Sequence, residues 1–463
     1  METTTTIRGE INKFLQDQRM TINQFARVTG INSGTLSSIL NGNRPISMNQ
    51  LERITEGMQL EEGYFYELYI YECIFNTIPN WRRLGSFLER CAELDKLKSL
   101  HRAAGMVMEN INYASLLFEM AEVFFNEEKY KAAAILYECV AESEKYQHSE
   151  RLGLCHYRIF IMELGDDAEK NLRLAITFEP YIDKLDEFSQ LEAYRRLINI
   201  NLSLLQWNTV KVLARKLGHI ARLHYKNNKR VTILHDGQEK TVIFYILYSY
   251  LIQANVCREA GNFEEELEFI SLYEYPDWII APSDQEQIII SQFKDWAIAN
   301  RYLYRMMSGY SEAVEEYVNY IKTRKDEIFV ALCNVVVAAN RHHFNIDHIL
   351  EQFSKYQTYK QQKSQLGKIS EHITISRYNR LLSELGIYYL NSKQYDSGLS
   401  YILDSLEYSI RIKSDNGMLR CMGIFEQFRH SSSEEILKRY EKLIREVQKL
   451  SVYAWSPQVE GKR

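Results

Sequence analysis

Proline occurs 6 times and glycine 20 times in 463 residues, and this scarcity of turn-formers constrains the fold more than any other feature. A β-rich chain needs Gly, Pro, Asn and Asp at each of its many reversals. So little punctuation predicts long helices joined by short connections. The length exceeds what one hydrophobic core ordinarily serves, and the chain is expected to divide into roughly two to four units.

The net charge of −5 provides no global basic field, so any contact with nucleic acid must be local. The seven cysteines (Cys73, Cys91, Cys139, Cys155, Cys257, Cys333 and Cys421) show no C-x-x-C spacing. Free, buried thiols in a reducing compartment are expected rather than a disulfide framework or a zinc site. Met1 to Thr6 is polar, and no apolar run reaches the ~20 residues that span a bilayer. The expectation is a cytoplasmic protein with no membrane partner. There is no phosphate-cradling glycine loop and no H-E-x-x-H. His342 and His343 are neighbours on a helical stretch, about 100° apart in direction, and His219 and His224 share the defect. Neither an enzyme, nor a cofactor, nor a metal site is expected.

Residues 7–60 read as a set of short helices. Ile7, Ile11, Phe14 and Leu15 give the first an apolar face. Thr21-Ile22-Asn23-Gln24 has the form of a capping box, and the helix it opens carries Phe25, Ala26 and Val28 until Gly30 breaks it. Asn32 is a good N-cap for a helix from Ser33 to Asn41, with Leu36, Ile39 and Leu40 pointing inward. Gly42 ends that helix, and Ser47 starts another with Met48, Leu51, Ile54 and Met58 on its buried side.

The string Thr21, Phe25-Ala26, Gly30-Ile31-Asn32, Leu36-Ser37, Ile39-Leu40-Asn41-Gly42 and Arg44-Pro45 resembles the lambda-repressor/Cro-like (XRE) helix-turn-helix family. The resemblance implies that the third helix enters the major groove of double-stranded DNA. Carried over, Ser33, Gly34, Thr35 and Ser38 would face base edges, and Asn43 and Arg44 would contact phosphate. Ile22 stands where the family often has a polar residue, so no contact is assigned there. Six basic residues (Arg8, Lys13, Arg19, Arg27, Arg44, Arg53) face five acidic ones (Glu2, Glu10, Asp17, Glu52, Glu56) in residues 1–60. That slight surplus predicts modest affinity per head, which pairing in a dimer would raise.

Residues 61–110 continue a helical pattern rich in tyrosine and phenylalanine, from Tyr64 to Tyr71. This aromatic run reads as half-buried packing, with a dimer contact or a hinge as alternatives. Asn76-Thr77-Ile78-Pro79-Asn80 is the clearest break. The domains expected are residues 1–75, a DNA-binding head with a linker helix, and residues 76–463, a sensing and dimerisation body.

In the body an aromatic recurs at Tyr130, Trp207, Phe263, Tyr310, Phe344 and Tyr395, between a helical stretch with a polar turn and a second helix. Small or aliphatic residues follow three later (Ala133, Val210, Ala313, Gly398) and precede by nine (Ala121, Ile198, Ala254, Gly386). Small residues there let two helices cross tightly, and the aromatic would fill the gap between hairpins. Glu266 and Arg301 break the pattern. A weaker copy ends at Ala168, Leu172, Ala175 and Pro180. Between the Trp207 and Phe263 copies, Val231 to Val242 interrupts the helices; its Asp236-Gly237 reads as a small hairpin or an irregular loop.

This periodicity resembles the tetratricopeptide repeat, most closely over Leu385-Gly386, Tyr389, Tyr395 and Gly398. The fold class expected is therefore all-α, a helix-turn-helix domain followed by a right-handed superhelix of tetratricopeptide-like hairpins. The resemblance puts groove-facing residues five, eight and twelve before each aromatic: Arg195 and Asn199, then Leu251, Asn255 and Arg258, then Tyr302 and Arg305. Asparagine offers donor and acceptor to a peptide backbone, and arginine can hold a carboxylate. The alternative is ordinary solvated polar residues.

Head and body together resemble the RRNPP family of peptide-responsive quorum-sensing regulators. What that implies is a homodimer that binds an operator and is modulated by a short signalling peptide in the groove. A scaffold that sequesters a signalling protein, with DNA binding secondary, is the alternative.

Overall fold

The computed structural model describes residues 6–75, 80–108, 112–147, 149–165, 167–227, 232–235, 238–324, 328–356 and 371–453. Internal contacts gather the chain into two compact units, residues 1–162 with 183–185, and residues 163–182 with 186–463. Residues 76–79, at the break the sequence marks, lie outside the described residues.

The first unit begins with α1 (Ile7–Asp17), α2 (Ile22–Thr29), α3 (Ser33–Leu40) and α4 (Met48–Gly57). A short α5 (Tyr66–Tyr69) runs into a π-helical stretch, Ile70–Phe75. Then come α6 (Trp81–Glu93), α7 (Leu97–Val107), α8 (Asn112–Asn126), α9 (Tyr130–Glu144) and α10 (Glu150–Glu163). The aromatic run after α4 is core: Phe65, Tyr66 and Tyr69 are buried, whereas Tyr64 and Tyr71 are exposed. The Tyr69 hydroxyl donates to the Ile46 carbonyl at 3.0 Å, and its ring stacks on Phe87.

The second unit comprises α11 (Ala168–Phe178), α12 (Glu187–Ser203), α13 (Trp207–Lys226), β1 (Thr232–His235), β2 (Gln238–Thr241), α14 (Val242–Glu259) and α15 (Phe263–Glu274). It continues with α16 (Asp284–Met307), α17 (Glu312–Ile321), α18 (Ile328–His342), α19 (Asp347–Gln352), α20 (Glu371–Asn391), α21 (Tyr395–Arg411), α22 (Asp415–Phe428) and α23 (Glu434–Tyr453). The interruption after α13 is a hairpin: β1 and β2 pair antiparallel, Thr232 opposite Thr241 and His235 opposite Gln238. Asp236 and Gly237, read as its turn, lie outside the described residues.

All six aromatic markers stand at the junction of two helices. Tyr130, Trp207, Phe263 and Tyr395 open α9, α13, α15 and α21; Tyr310 precedes α17, and Phe344 follows α18. One or two residues before each lies a left-handed residue that ends the preceding helix: Glu128, Leu205, Gly261, Gly309, His343 and Lys393. Asp95 and Lys413 make the same turn before α7 and α22, where no aromatic signals it. The markers do not all fill gaps, however. Tyr130 and Tyr310, which follow such turns, are 46% and 52% exposed.

The small positions do allow close crossing. A Cβ on Gly398 would lie 2.9 Å from the Gly386 carbonyl oxygen, and one on Gly386 would lie 3.0 Å from that of Gly398. Hence α20 and α21 touch backbone to backbone. Where the pattern breaks, an ion pair takes over. Buried Glu266 accepts from Arg258 at 3.0 Å, and Arg301 reaches Glu274 at 2.5 Å. Many successive helices pack in sequence, α14 also meets α16, α16 meets α18, and α20 returns against α12. Lys413, after α21, pairs with Asp167 at the start of α11 at 3.0 Å.

Candidate nucleic-acid interface

Three caps set the starts of α2, α3 and α4. The Gln24 amide donates to the Thr21 hydroxyl at 3.3 Å, and the Thr21 amide to the Gln24 side chain at 2.8 Å, closing the box that starts α2. Ser47 and Gln50 form an equivalent box on α4. Between them, Asn32 accepts from the amides of Gly34 at 2.9 Å and Thr35 at 3.4 Å, which fixes the first turn of α3.

The joint between α2 and α3 follows from residue size and backbone freedom. Gly30 adopts φ +67°, a left-handed conformation that glycine reaches without strain. Arg53 of α4 donates to the Gly30 carbonyl at 3.2 Å and staples that turn. Phe25, Ala26 and Ile31 are buried beneath it, and the Phe14 and Phe25 rings lie 5.7 Å apart. Val28, read with them as apolar, is instead 57% exposed; it sits on the solvent side of α2, away from the stripe that holds Phe25 and Ala26.

With Leu36 and Ile39 buried, α3 turns its other face outward. Gly34 is exposed, and Ser33, Thr35 and Ser38 are half-buried along that side. Asn43 and Arg44, in the loop after the helix, are exposed. Leu40, expected inside, is half-buried. The outcome is a helix whose first turns present small hydroxyls to solvent, with a cation beside its C-terminal end.

Residues 10–61 match the Cro/C1-type HTH DNA-binding domain.

The chain thus carries a Cro/C1-type domain at its N-terminus, of the kind that DNA-binding transcription regulators use, followed by a body that, among the described residues, is helical but for the β1–β2 hairpin. No curated protein matches the chain significantly. Among the described residues no helix is long and apolar enough to cross a membrane.

The Cro/C1-type head is braced against the helices that follow it. Glu72, in the π-helical stretch, accepts from the Ile7 amide at 2.7 Å and so caps α1. Burial pushes its carboxyl up, against the downward pull of that N–H and of Arg8. Arg90 of α6 binds Glu52 of α4 at 2.6 Å, and also Glu62 and Glu93. A sequence scan misses these braces because the partners are far apart and each residue alone looks like a surface charge.

The residues assigned to a peptide groove fall in three separate groups within the second unit. Arg195 is buried and bonds Glu192 at 2.8 and 2.5 Å, while Asn199 accepts from the Tyr248 hydroxyl at 2.8 Å. Arg258 donates to Glu266, Asn255 and Asn300. That network ties α14 to α15 and α16. Burial pushes the Glu266 carboxyl up to about 7, against the field of Arg258. Tyr302 lies against Tyr320, and Arg305 pairs with Glu316 and Glu312, so both engage α17. Arg195, Arg258 and Arg305 therefore each already hold a carboxylate.

Fifteen positions before the markers Trp207, Phe263 and Tyr395 stand Glu192, Tyr248 and Arg380. The offsets of five, eight and twelve stop one turn short of them. The signal available was helix length, since α12, α14 and α20 run 17, 18 and 21 residues. His342 bonds the Met307 carbonyl at 2.7 Å and stacks on Phe344, a structural placement.

Proposed function

We propose that this protein is a sequence-specific transcription regulator whose operator binding is modulated by a short signalling peptide held in its helical body. The observation that carries the reading is the outward side of α3, where Ser33, Gly34, Thr35 and Ser38 are uncharged and Asn43 and Arg44 follow. Small polar side chains at that end of a recognition helix let the backbone approach base edges, while the loop cation meets phosphate. The weak net basicity of the head supports a dimer that places two heads on one operator.

The body supports the sensing half of the proposal. Its hairpins follow the spacing of tetratricopeptide-like repeats, and stacked in a right-handed superhelix they would leave a concave face for an extended peptide. The amide nitrogens of Asn199 and Asn255 are without a protein partner among the described residues, so each can donate to a peptide carbonyl. By linkage the peptide alters DNA binding only through its differential affinity for two arrangements of the heads. This is the behaviour of RRNPP-type quorum-sensing regulators, and it implies an intracellular homodimer without catalytic activity.

Genome-wide footprinting of the protein, with and without conditioned culture medium, tests both halves. The expected result is a small set of discrete sites whose occupancy changes with the medium. Uniform, sequence-independent occupancy would overturn the operator half, and unchanged occupancy the sensing half.

A further inference from the structure

The second unit holds an arginine that, among the described residues, has no carboxylate partner. Arg377 lies in the first half of α20, one turn before Arg380 and on the same side of the helix. Arg380 reaches Glu259 of α14 at 3.2 and 3.4 Å. Arg377 makes no hydrogen bond or ion pair among the described residues. The groups within its electrostatic reach are the Cys333 thiol of α18, the Tyr248 phenol of α14 and the Arg380 guanidinium. None of them is a carboxylate.

Its neighbours mark where it sits. Tyr248 is buried and feels both Arg195 of α12 and Arg377 of α20, and α20 packs against α12 and α18. Arg377 therefore lies where α20 meets α12, α14 and α18, partly buried. Burial pushes its guanidinium below the ordinary range and Arg380 adds to the shift; the Cys333 thiol and the Tyr248 phenol oppose it, but among the described residues no carboxylate does. In Arg195 burial acts the same way, but the hydrogen bonds and field of Glu192 outweigh it. Beside Arg377, Tyr248 spends its proton on the Asn199 oxygen, which leaves the Asn199 amide N–H groups free to donate.

A cation held inside a fold without a counterion disfavours folding, and a chain selected for stability alone would lose it. We propose that Arg377, with the Asn199 amide that Tyr248 orients, receives a carboxylate of the ligand inside the body. This deepens the peptide reading and rests on it: the peptide offers the carboxylate as its C-terminus or on an acidic side chain. Arginine suits the task because its planar fork binds both carboxylate oxygens.

The test uses the full-length protein and three pools of random peptides, each about eight residues long. One pool has free C-termini, one has amidated C-termini, and one has free C-termini but lacks Asp and Glu. Peptides retained through gel filtration are counted by mass spectrometry for the wild type, R377Q and R377K. The wild type is expected to retain peptides about tenfold or more above R377Q, with R377K between them. Loss of retention from the amidated pool assigns the C-terminus, and loss from the pool lacking Asp and Glu assigns a side chain. R377Q should keep its melting temperature or gain a few degrees, since it removes an uncompensated charge; a marked drop would mean that Arg377 is structural, and would overturn the proposal. Equal retention by wild type and R377Q overturns the carboxylate site while the peptide reading stands. No retention by the wild type from any pool overturns the peptide reading and this proposal with it.

Discussion

Replacing Gly398 by alanine probes the close crossing of α20 and α21. A Cβ there would lie 2.9 Å from the Gly386 carbonyl oxygen, 2.9 Å from the Leu390 nitrogen and 2.7 Å from Leu390 Cγ, where ordinary contact begins at 3.4 Å. Two of these atoms are helix backbone, so α20 and α21 must part by about half an ångström along their contact. Overpacking of this kind costs about 1–3 kcal/mol. Alanine's helix propensity returns about 1 kcal/mol, so the net loss is at the low end unless the crossing opens. Gly423 supplies the control, since it lies mid-helix in α22 and a methyl added there would have nothing within 4 Å. At that position the same change meets no obstacle, and the gain of up to about 1 kcal/mol is realised. For a unit of this size each kcal/mol moves the melting temperature by about 2 °C. Thermal unfolding of both variants in the full-length chain should therefore separate them, with G423A up and G398A level with the wild type or below it. A G398A variant stabilised as much as G423A would refute the backbone contact.

Other outcomes are equally specific. Arg44→Ala should weaken binding to all DNA sequences alike and lower the salt-dependence slope by about 1; titrations at several salt concentrations check it, and a sequence-selective loss would contradict the phosphate role. The Glu266 carboxyl, raised by burial to about 7, contributes stability that is complete below its unfolded value of about 4 and lost as pH rises through about 7. Denaturant unfolding should thus show the wild type losing about 2–3 kcal/mol relative to E266Q between pH 5 and pH 8; parallel curves would exclude the shift. Asn199→Ala and Asn255→Ala should each weaken peptide binding about tenfold by calorimetry without unfolding the body, and unchanged affinity would remove them from the site.

Much of the head was legible from the sequence because its signals are local. Thr21 with Gln24, Asn32 and Gly30 act within three or four residues, so spacing alone predicts their hydrogen bonds and turn. The aromatic markers were legible for the same reason, as each follows a left-handed residue at a helix junction. Two copies of that turn, at Asp95 and Lys413, carry no such signal because no aromatic follows them. The partners of Arg258 and Arg195 were not legible as such. Glu266 looked like a mere departure from a small residue, and Glu192 lies one turn beyond the groove offsets. Arg377 carried no sequence signal at all. Its meaning comes from what does not surround it, and only the return of α20 against α12 sets that environment.

The central claim is that the exposed first turns of α3 read a duplex. Selection of bound DNA from a random duplex library, by the wild type and by a variant with Ser33, Thr35 and Ser38 all changed to alanine, tests it most directly. The wild type should enrich a defined motif with half-sites about one helical turn apart. The variant should still bind DNA with similar salt dependence but enrich no motif, or a degenerate one. An identical motif from both proteins, or none from the wild type, would contradict the claim.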